Sequence, residues 1–335
     1  MSYATHSTPN YEKLLDKEMW AFITKTNGFF PVDAATLSIG EQRELYNDMC
    51  RAFTQQPAKP IERNEYLLSE RDVPVREYRT ELENNNLPIV IYYHGGGFVV
   101  GDLNSHDDIC ASICAFTDFK VISVDYKLAP EFRHPHAFED AYAVFQSVAL
   151  NTTQAVLVVG DSAGATLAAS VSSLARNSKK QPSAQVLIYP YLGGPSHCGS
   201  YVEHAHAPML STSDMKYYDQ MRIDPSQAPP NDETFAPLWS TDFTGLPPTA
   251  VFAAQCDPLC DDGEIYAKHI RSAGGNARCT IEPGLVHGYL RARHGAARAK
   301  QSFNRILLAI QTMSSPPDNI HLRSRVAWES ERSEF

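Results

Sequence analysis

Through the middle and end of the chain, short and nearly continuous apolar runs alternate with longer stretches of helical periodicity. The runs fall at 88–93, 120–125, 155–159, 184–189, 249–254 and 277–282. They are rich in Val, Ile and Tyr and do not alternate with polar residues, as expected of parallel strands buried on both faces. Between them, 105–116, 137–149, 164–178 and 263–273 are each long enough for a crossover helix. Repeated strand–helix–strand order predicts an α/β fold, with a mostly parallel central sheet and helices on both faces. Ahead of this block, residues 11–30 place Leu15, Met19, Phe22 and Ile23 at helical spacing beside Trp20, and Pro31-Val32-Asp33 breaks the pattern. A second helix is predicted over 38–53, and a hairpin over 61–68 and 75–82, joined by the polar stretch 69–72. Residues 195–245 interrupt the rhythm with Pro, Ser, His, Met and Tyr, which predicts an insertion covering a site. After Met313 the chain is polar and broken by proline, and is expected to be flexible or loosely docked.

Composition narrows the function. The chain has 335 residues, 43% hydrophobic and 20% charged, so a sizeable core is available. Length alone allows about two domains, although single α/β domains also reach this size. Lys+Arg minus Asp+Glu gives 29 − 39 = −10, which argues against nucleic acid and anionic membrane as partners. No apolar run of about 18 residues predicts a membrane span, and the N-terminus lacks the basic-then-apolar order of a secretory signal. Seven cysteines, an odd number, read as reduced thiols of a cytoplasmic protein. Cys110/Cys114 and Cys256/Cys260 are spaced i, i+4 rather than CxxC, so they are expected to be buried thiols and not a metal site.

The most specific short feature is Gly160-Asp161-Ser162-Ala163-Gly164, a G-x-S-x-G sequence between an apolar strand and a small-residue helix. That context is the one in which a strained turn holds a serine hydroxyl out at the carboxyl edge of a sheet, similar to the nucleophile elbow of α/β hydrolases. A Gly-Ser turn that merely caps a helix is the plainer alternative. At the end of another apolar run stands His94-Gly95-Gly96-Gly97-Phe98. Three consecutive glycines suit backbone that must approach a ligand without side chains, as an oxyanion hole requires. The N–H groups of Gly96, Gly97 and Ala163 are the expected donors. Gly95 is the expected turn residue, and His94 props the loop through hydrogen bonds. His94, Gly95 and Asp161 are thus expected to support the motif. A phosphate-binding loop is excluded because neither G-x-G-x-x-G nor a following Lys-Ser/Thr is present.

A serine nucleophile needs a histidine to take its proton and a carboxylate to orient that histidine. Of twelve histidines, His287 lies just after the last apolar run and late in the chain, and is the expected base. His106, His134, His136 and His294 are expected to be structural or exposed. Asp257, directly after the run 249–254, is the expected acid. Asp261 and Asp262 read as acids at a helix N-terminus, and Glu282, at the end of the last run, is the alternative acid. The order Ser162, Asp257, His287 is the order of α/β hydrolases.

Taken together, the His94–Phe98 motif, Gly101-Asp102, His106-Asp107, Asp125-Tyr126-Lys127-Leu128-Ala129-Pro130-Glu131, Gly160–Ala165, Asp257-Pro258-Leu259 and His287-Gly288 resemble the hormone-sensitive-lipase-like (bacterial family IV) carboxylesterases over about residues 85 to 310. The resemblance implies an α/β-hydrolase core with a helical cap, hydrolysis of mostly short-chain esters, and no metal or organic cofactor. It divides the chain into N-terminal cap helices (1–55), a catalytic core (56–194 and 246–313), a cap insertion (195–245) and a polar tail (314–335). It implies structural roles for Asp125, Tyr126 and Glu131. Two departures stand out: Ala165 replaces the glycine that usually ends the elbow motif, and the tail is longer than the pattern leads one to expect. A small-molecule ester is the expected partner, with a homodimer left open. The same chemistry could serve an amide, lactone or acetylated metabolite, and a non-catalytic receptor on this fold would be expected to lack one of the three residues.

Overall fold

In the computed structural model of the chain, residues 9–31, 36–81, 86–224, 226 and 231–314 are described. Val32 and Asp33 of the predicted break, Leu82 of the predicted hairpin, and 315–335 of the predicted tail lie outside the described residues.

Eight strands form one sheet: β1 (Glu62–Leu68), β2 (Val73–Arg79), β3 (Ile89–Tyr93), β4 (Lys120–Val124), β5 (Val156–Asp161), β6 (Ala184–Ile188), β7 (Thr249–Cys256) and β8 (Ala277–Val286). Their order is β1-β2-β4-β3-β5-β6-β7-β8. All neighbours from β4 to β8 pair in parallel, whereas the β1–β2 hairpin joins β4 antiparallel. The fold is therefore an α/β-hydrolase fold with a mixed, mostly parallel sheet, and each predicted run became a strand. The ladder explains the absence of alternation. On β3, Val90 and Tyr92 enter one apolar layer while Ile89, Ile91 and Tyr93 enter the other. The first layer is closed by α4 (Asp107–Thr117) and α10 (Ala297–Met313), the second by α5 (His136–Leu150), α6 (Ala163–Ala175) and α9 (Cys260–Ser272). Helix α10, not predicted as a separate element, contributes Phe303, Ile306, Leu307 and Ile310 to the core.

The helix expected over 11–30 is two helices, α1 (Tyr11–Leu14) and α2 (Lys17–Asn27). Leu15 and Asp16 are extended, and the Asp16 carboxylate accepts from Met19 N at 2.9 Å, so it caps a new helix instead of continuing the old one. Helix α3 (Ile39–Phe53) starts at a reciprocal Ser38/Glu41 capping box. The insertion carries α7 (Ser200–Glu203) and α8 (Thr212–Arg222), and α8 opens with the same device at Ser211/Asp214. Asp261 and Asp262 do start α9, as expected, but they also tether the insertion. Asp261 accepts from Ser200 N at 2.8 Å, and the fully buried Asp262 accepts from Leu192 N and Tyr201 OH at 2.7 and 3.1 Å.

All seven cysteines are free, with Cys110, Cys114, Cys256 and Cys260 buried. Among the described residues no helix is long and apolar enough to cross a membrane.

Candidate active site

Sheet register brings the candidate residues to one edge. The last β7–β8 pair is Cys256↔Val286, reached through an irregularity after Ala254, so Asp257 and His287 each follow immediately on neighbouring parallel strands. Tyr93, Asp161 and Ile188 close β3, β5 and β6 at the same edge, which puts the loop after Tyr93 and the turn at Ser162 beside them. At that turn Ser162 has φ 52° and ψ −119°, a conformation that costs a residue with a side chain and must be held by its surroundings. The turn can be this sharp because of Gly164: a Cβ there would lie 1.9 Å from the Tyr93 carbonyl oxygen. His287 Nε2 lies 2.8 Å from Ser162 Oγ, and His287 Nδ1 lies 2.7 Å from Asp257 Oδ2. Asp257 is fully buried, and its other oxygen accepts from Leu259 N at 2.9 Å. A hydroxyl, an imidazole and a buried carboxylate are thus in series, the arrangement in which an imidazole can take the hydroxyl proton.

Gly96, Gly97 and Ala163 line the same cavity as Ser162 and His287. Ala163 is the first residue of α6, so its N–H has no partner within the helix. The glycine loop folds as a tight turn, with Val99 N and Val100 N both donating to Gly96 O at 3.0 Å. His94 is buried and stacks on Tyr126 with ring centroids 4.3 Å apart, while Tyr126 OH donates to the His94 carbonyl at 2.7 Å. Burial, aided by His106, pushes the His94 pKa down to about 4, so its ring is a neutral strut. Glu282 is not beside His287. Strand β8 continues past it to Val286, and the Glu282 carboxylate pairs with Arg305 on α10.

A family model described as an alpha/beta hydrolase fold matches residues 90–291. The chain belongs to that family. It is similar to the carboxylesterase NlhH of Mycobacterium tuberculosis, with 34% identity over 250 residues, 72% of this chain and 78% of the relative. It is also similar to an ethyl acetate hydrolase of Pseudomonas putida, with 30% identity over 82% of this chain and 90% of the relative. Among solved structures, EstE1, a thermophilic carboxylesterase cloned from a metagenomic library, superposes with a TM-score of 0.77 at 34% identity, over 84% of this chain and 99% of its own.

The hydrolase encloses a cavity of about 610 Å³ above Ser162, walled by the loop after β3, by α3 and by α8. Phe30, Met209, Tyr217 and Tyr218 line it. Trp20, Phe22 and Ile23 do not. They pack into the layer under α4 and α10, Phe22 edge-on to Phe53 with centroids 5.1 Å apart. That face of α2 therefore packs in the core, while Thr26 and Asn27 at its C-terminal end line the cavity; Met221 packs against Val99, Val100 and Ala129.

Asp161 and Gly95, expected to support the motif, do join behind the turn, in a buried polar group whose further members His106 and Arg291 sequence reasoning missed. Asp161 accepts from Gly95 N at 2.9 Å, Tyr92 OH at 2.8 Å and Tyr189 OH at 3.1 Å, and lies 3.4 Å from His106 Nε2. Arg291 completes it, 3.2 Å from the same His106 nitrogen and donating to Tyr46 OH on α3 at 2.9 Å. One turn after His287, then, the chain is tied through His106 and Asp161 to Gly95. His106, expected to be structural or exposed, is fully buried in this group. Burial alone pushes the Asp161 pKa up. His106, Tyr92 and Arg291 more than reverse it and hold the carboxyl well below the usual carboxylate range. A carboxylate depressed in the folded state stabilises the fold above its unfolded pKa, and that stability is lost as pH falls through the lowered folded value. Asp161→Asn is accordingly expected to lower stability at pH 7 by about 3 kcal/mol, the scale of removing one member of a buried charge pair. The deficit should shrink as the wild type itself is titrated towards pH 2. Denaturant melts of both proteins across that range check it, and a deficit independent of pH would refute it.

Proposed function

We propose that this hydrolase is a serine carboxylesterase acting on short-chain acyl esters. The observation that carries the reading is the hydrogen-bonded series Ser162–His287–Asp257 opening on a cavity also lined by Gly96, Gly97 and Ala163. The ester carbonyl oxygen sits against the N–H groups of Gly96, Gly97 and Ala163. Ser162 Oγ attacks the carbonyl carbon as His287 Nε2 takes its proton. The three N–H donors then face the oxyanion, where preorganised donors act most strongly. His287 returns the proton to the leaving alcohol, while Asp257 stabilises the imidazolium and holds its orientation. Water repeats the cycle on the acyl-Ser162 ester and frees the acid. These steps call on no metal or organic cofactor, and the substrate is a small-molecule ester.

The names of the similar proteins, carboxylesterases and an ethyl acetate hydrolase, support ester cleavage and a short acyl group. The cavity wall supports it too. Leu45 and Met49 of α3 and Met215, Tyr217 and Tyr218 of α8 close the space above Ser162 with bulky side chains. Each accommodated methylene is worth about 0.8 kcal/mol, and the gain ends where the wall begins. We expect kcat/KM to peak at acyl chains of about two to six carbons and to fall for longer ones. A series of p-nitrophenyl esters from acetate to palmitate measures this, with burst release of p-nitrophenol reporting the acyl-enzyme. An optimum at palmitate would contradict the short-chain assignment.

A further inference from the structure

Resting on the esterase reading above, one feature of the insertion goes beyond substrate cover. The loop after β3 is gripped from two sides by the helices that roof the cavity. From α3, Arg43 Nε donates to the Val99 carbonyl at 2.8 Å and its Nη2 to the Ala129 carbonyl at 3.1 Å, while the guanidinium pairs with Glu131. From α8 the grip is by rings and stacking. A Cβ on Gly97 would lie 2.4 Å from Tyr218 Cδ1 and 2.5 Å from its Cγ, so the Tyr218 ring rests directly on the Gly97 backbone. One turn on, the buried Arg222 guanidinium lies 3.8 Å from the centroid of the Phe98 ring and 4.0 Å from that of Phe235, and its Nη2 donates to the Phe235 carbonyl at 3.0 Å. The two helices are joined to each other where Tyr217 OH donates to Gln42 Oε1 at 3.1 Å.

The loop needs such support. Gly97 and Phe98 have φ of 61° and 64° in succession. The left-handed region is free to glycine but unfavourable for phenylalanine, and a side-chain-bearing residue stays there only when its surroundings over-determine it. Phe98 is held by the Arg222 stack, and Gly97 has no side chain because the Tyr218 ring occupies that space.

We propose that α8 is a positioning element of the oxyanion loop, with Tyr218 and Arg222 as positioning residues that fix the Gly96 and Gly97 N–H groups where the carbonyl oxygen becomes negative. The roof of the cavity therefore arms the hole as well as shaping the pocket. A substrate that fits without letting α8 seat is bound but turned over slowly, so part of the acyl-chain discrimination falls in kcat.

The test compares Tyr218→Ala and Tyr218→Phe in the full chain, using p-nitrophenyl acetate and an alkylboronic acid that adds to Ser162 as a tetrahedral anion. Displacing reacting groups by about 1 Å costs on the order of 10²-fold. Tyr218→Ala is expected to lose kcat on that scale with KM little changed, and to weaken boronate inhibition by a similar factor. Tyr218→Phe, which keeps the ring on Gly97, is expected to restore both. If Tyr218→Ala does not fold, Tyr218→Leu, which retains apolar bulk but not the flat ring, is read by the same criteria. A change confined to KM, or boronate inhibition unchanged while the acetate rate falls, overturns the proposal. So does a loss in Tyr218→Phe equal to that in Tyr218→Ala, because the hydroxyl and not the ring would then be acting. Mass-spectrometric labelling of wild-type Ser162 by a p-nitrophenyl phosphonate separates this failure from a failure of the esterase reading. Without label on Ser162 both fall; with label and an unaffected Tyr218→Ala, only the positioning role falls.

Discussion

Ser162→Ala is expected to fold as wild type does and to hydrolyse p-nitrophenyl esters about 10⁶-fold more slowly, the loss seen when a protease triad is deprived of its serine. The fold should survive because Oγ makes no bond on which other elements depend. Among the described residues its side-chain hydrogen bond is with His287 Nε2 at 2.8 Å, on the side of the imidazole facing the cavity, where water can replace it. The strained turn is set by backbone: Ser162 N donates to Ile188 O at 2.9 Å, and the close approach of Gly164 to Tyr93 is unaffected by removing a hydroxyl. Rate alone should therefore change, with the denaturation midpoint nearly constant. Pure Ser162→Ala that hydrolyses within tenfold of wild type would overturn the nucleophile assignment.

What the chain discloses about itself divides by range. The strands were legible because β3 to β6 are buried on both faces, a local compositional fact independent of partners. Ser162 was legible because strand, turn and helix are consecutive, so a seven-residue window holds the whole device. Asp257 and His287 were legible by position, each following an apolar run. Why they meet was not, because it rests on the Cys256↔Val286 register and the irregularity before it. The same limit hid Asp161–His106–Arg291, whose members are 55 and 130 residues from one another in sequence order (161 − 106 and 291 − 161). It also hid the break at Asp16. The apolar periodicity of 11–30 runs through that residue, and only its carboxylate turning back to Met19 N marks a second helix. The partners of α2 were hidden for a related reason: helical periodicity says that a face is buried, not what buries it. Trp20, Phe22 and Ile23 meet the core where Tyr217 and Tyr218 meet the cavity.

The acid can be decided by a paired comparison. Asp257→Asn is expected to lower kcat by about 10⁴-fold with the fold intact, whereas Glu282→Gln should leave kcat near wild type and act on stability. The direction follows from the contacts of the two carboxylates. Asp257 Oδ1 accepts from the buried Leu259 N–H, and Oδ2 lies 2.7 Å from His287 Nδ1. An asparagine at 257 has one oxygen for these two places. If its NH₂ faced Leu259, two donors would meet in a buried site and neither would be satisfied, at a cost of about 1–3 kcal/mol. The carbonyl oxygen is therefore expected to go to Leu259 N, and the NH₂ to His287. Nδ1 must then accept, which puts the imidazole proton on Nε2, the nitrogen 2.8 Å from Ser162 Oγ. That tautomer cannot take the serine proton, and no carboxylate remains to stabilise an imidazolium. Glu282, by contrast, lies four residues before the end of β8 at Val286, and its carboxylate is taken up by Arg305 on α10. Its amide analogue weakens a core-to-helix ion pair and leaves the imidazole alone. Steady-state kinetics and denaturant melts on the two variants separate the cases. A crippled Glu282→Gln beside a nearly unimpaired Asp257→Asn would transfer the role to Glu282.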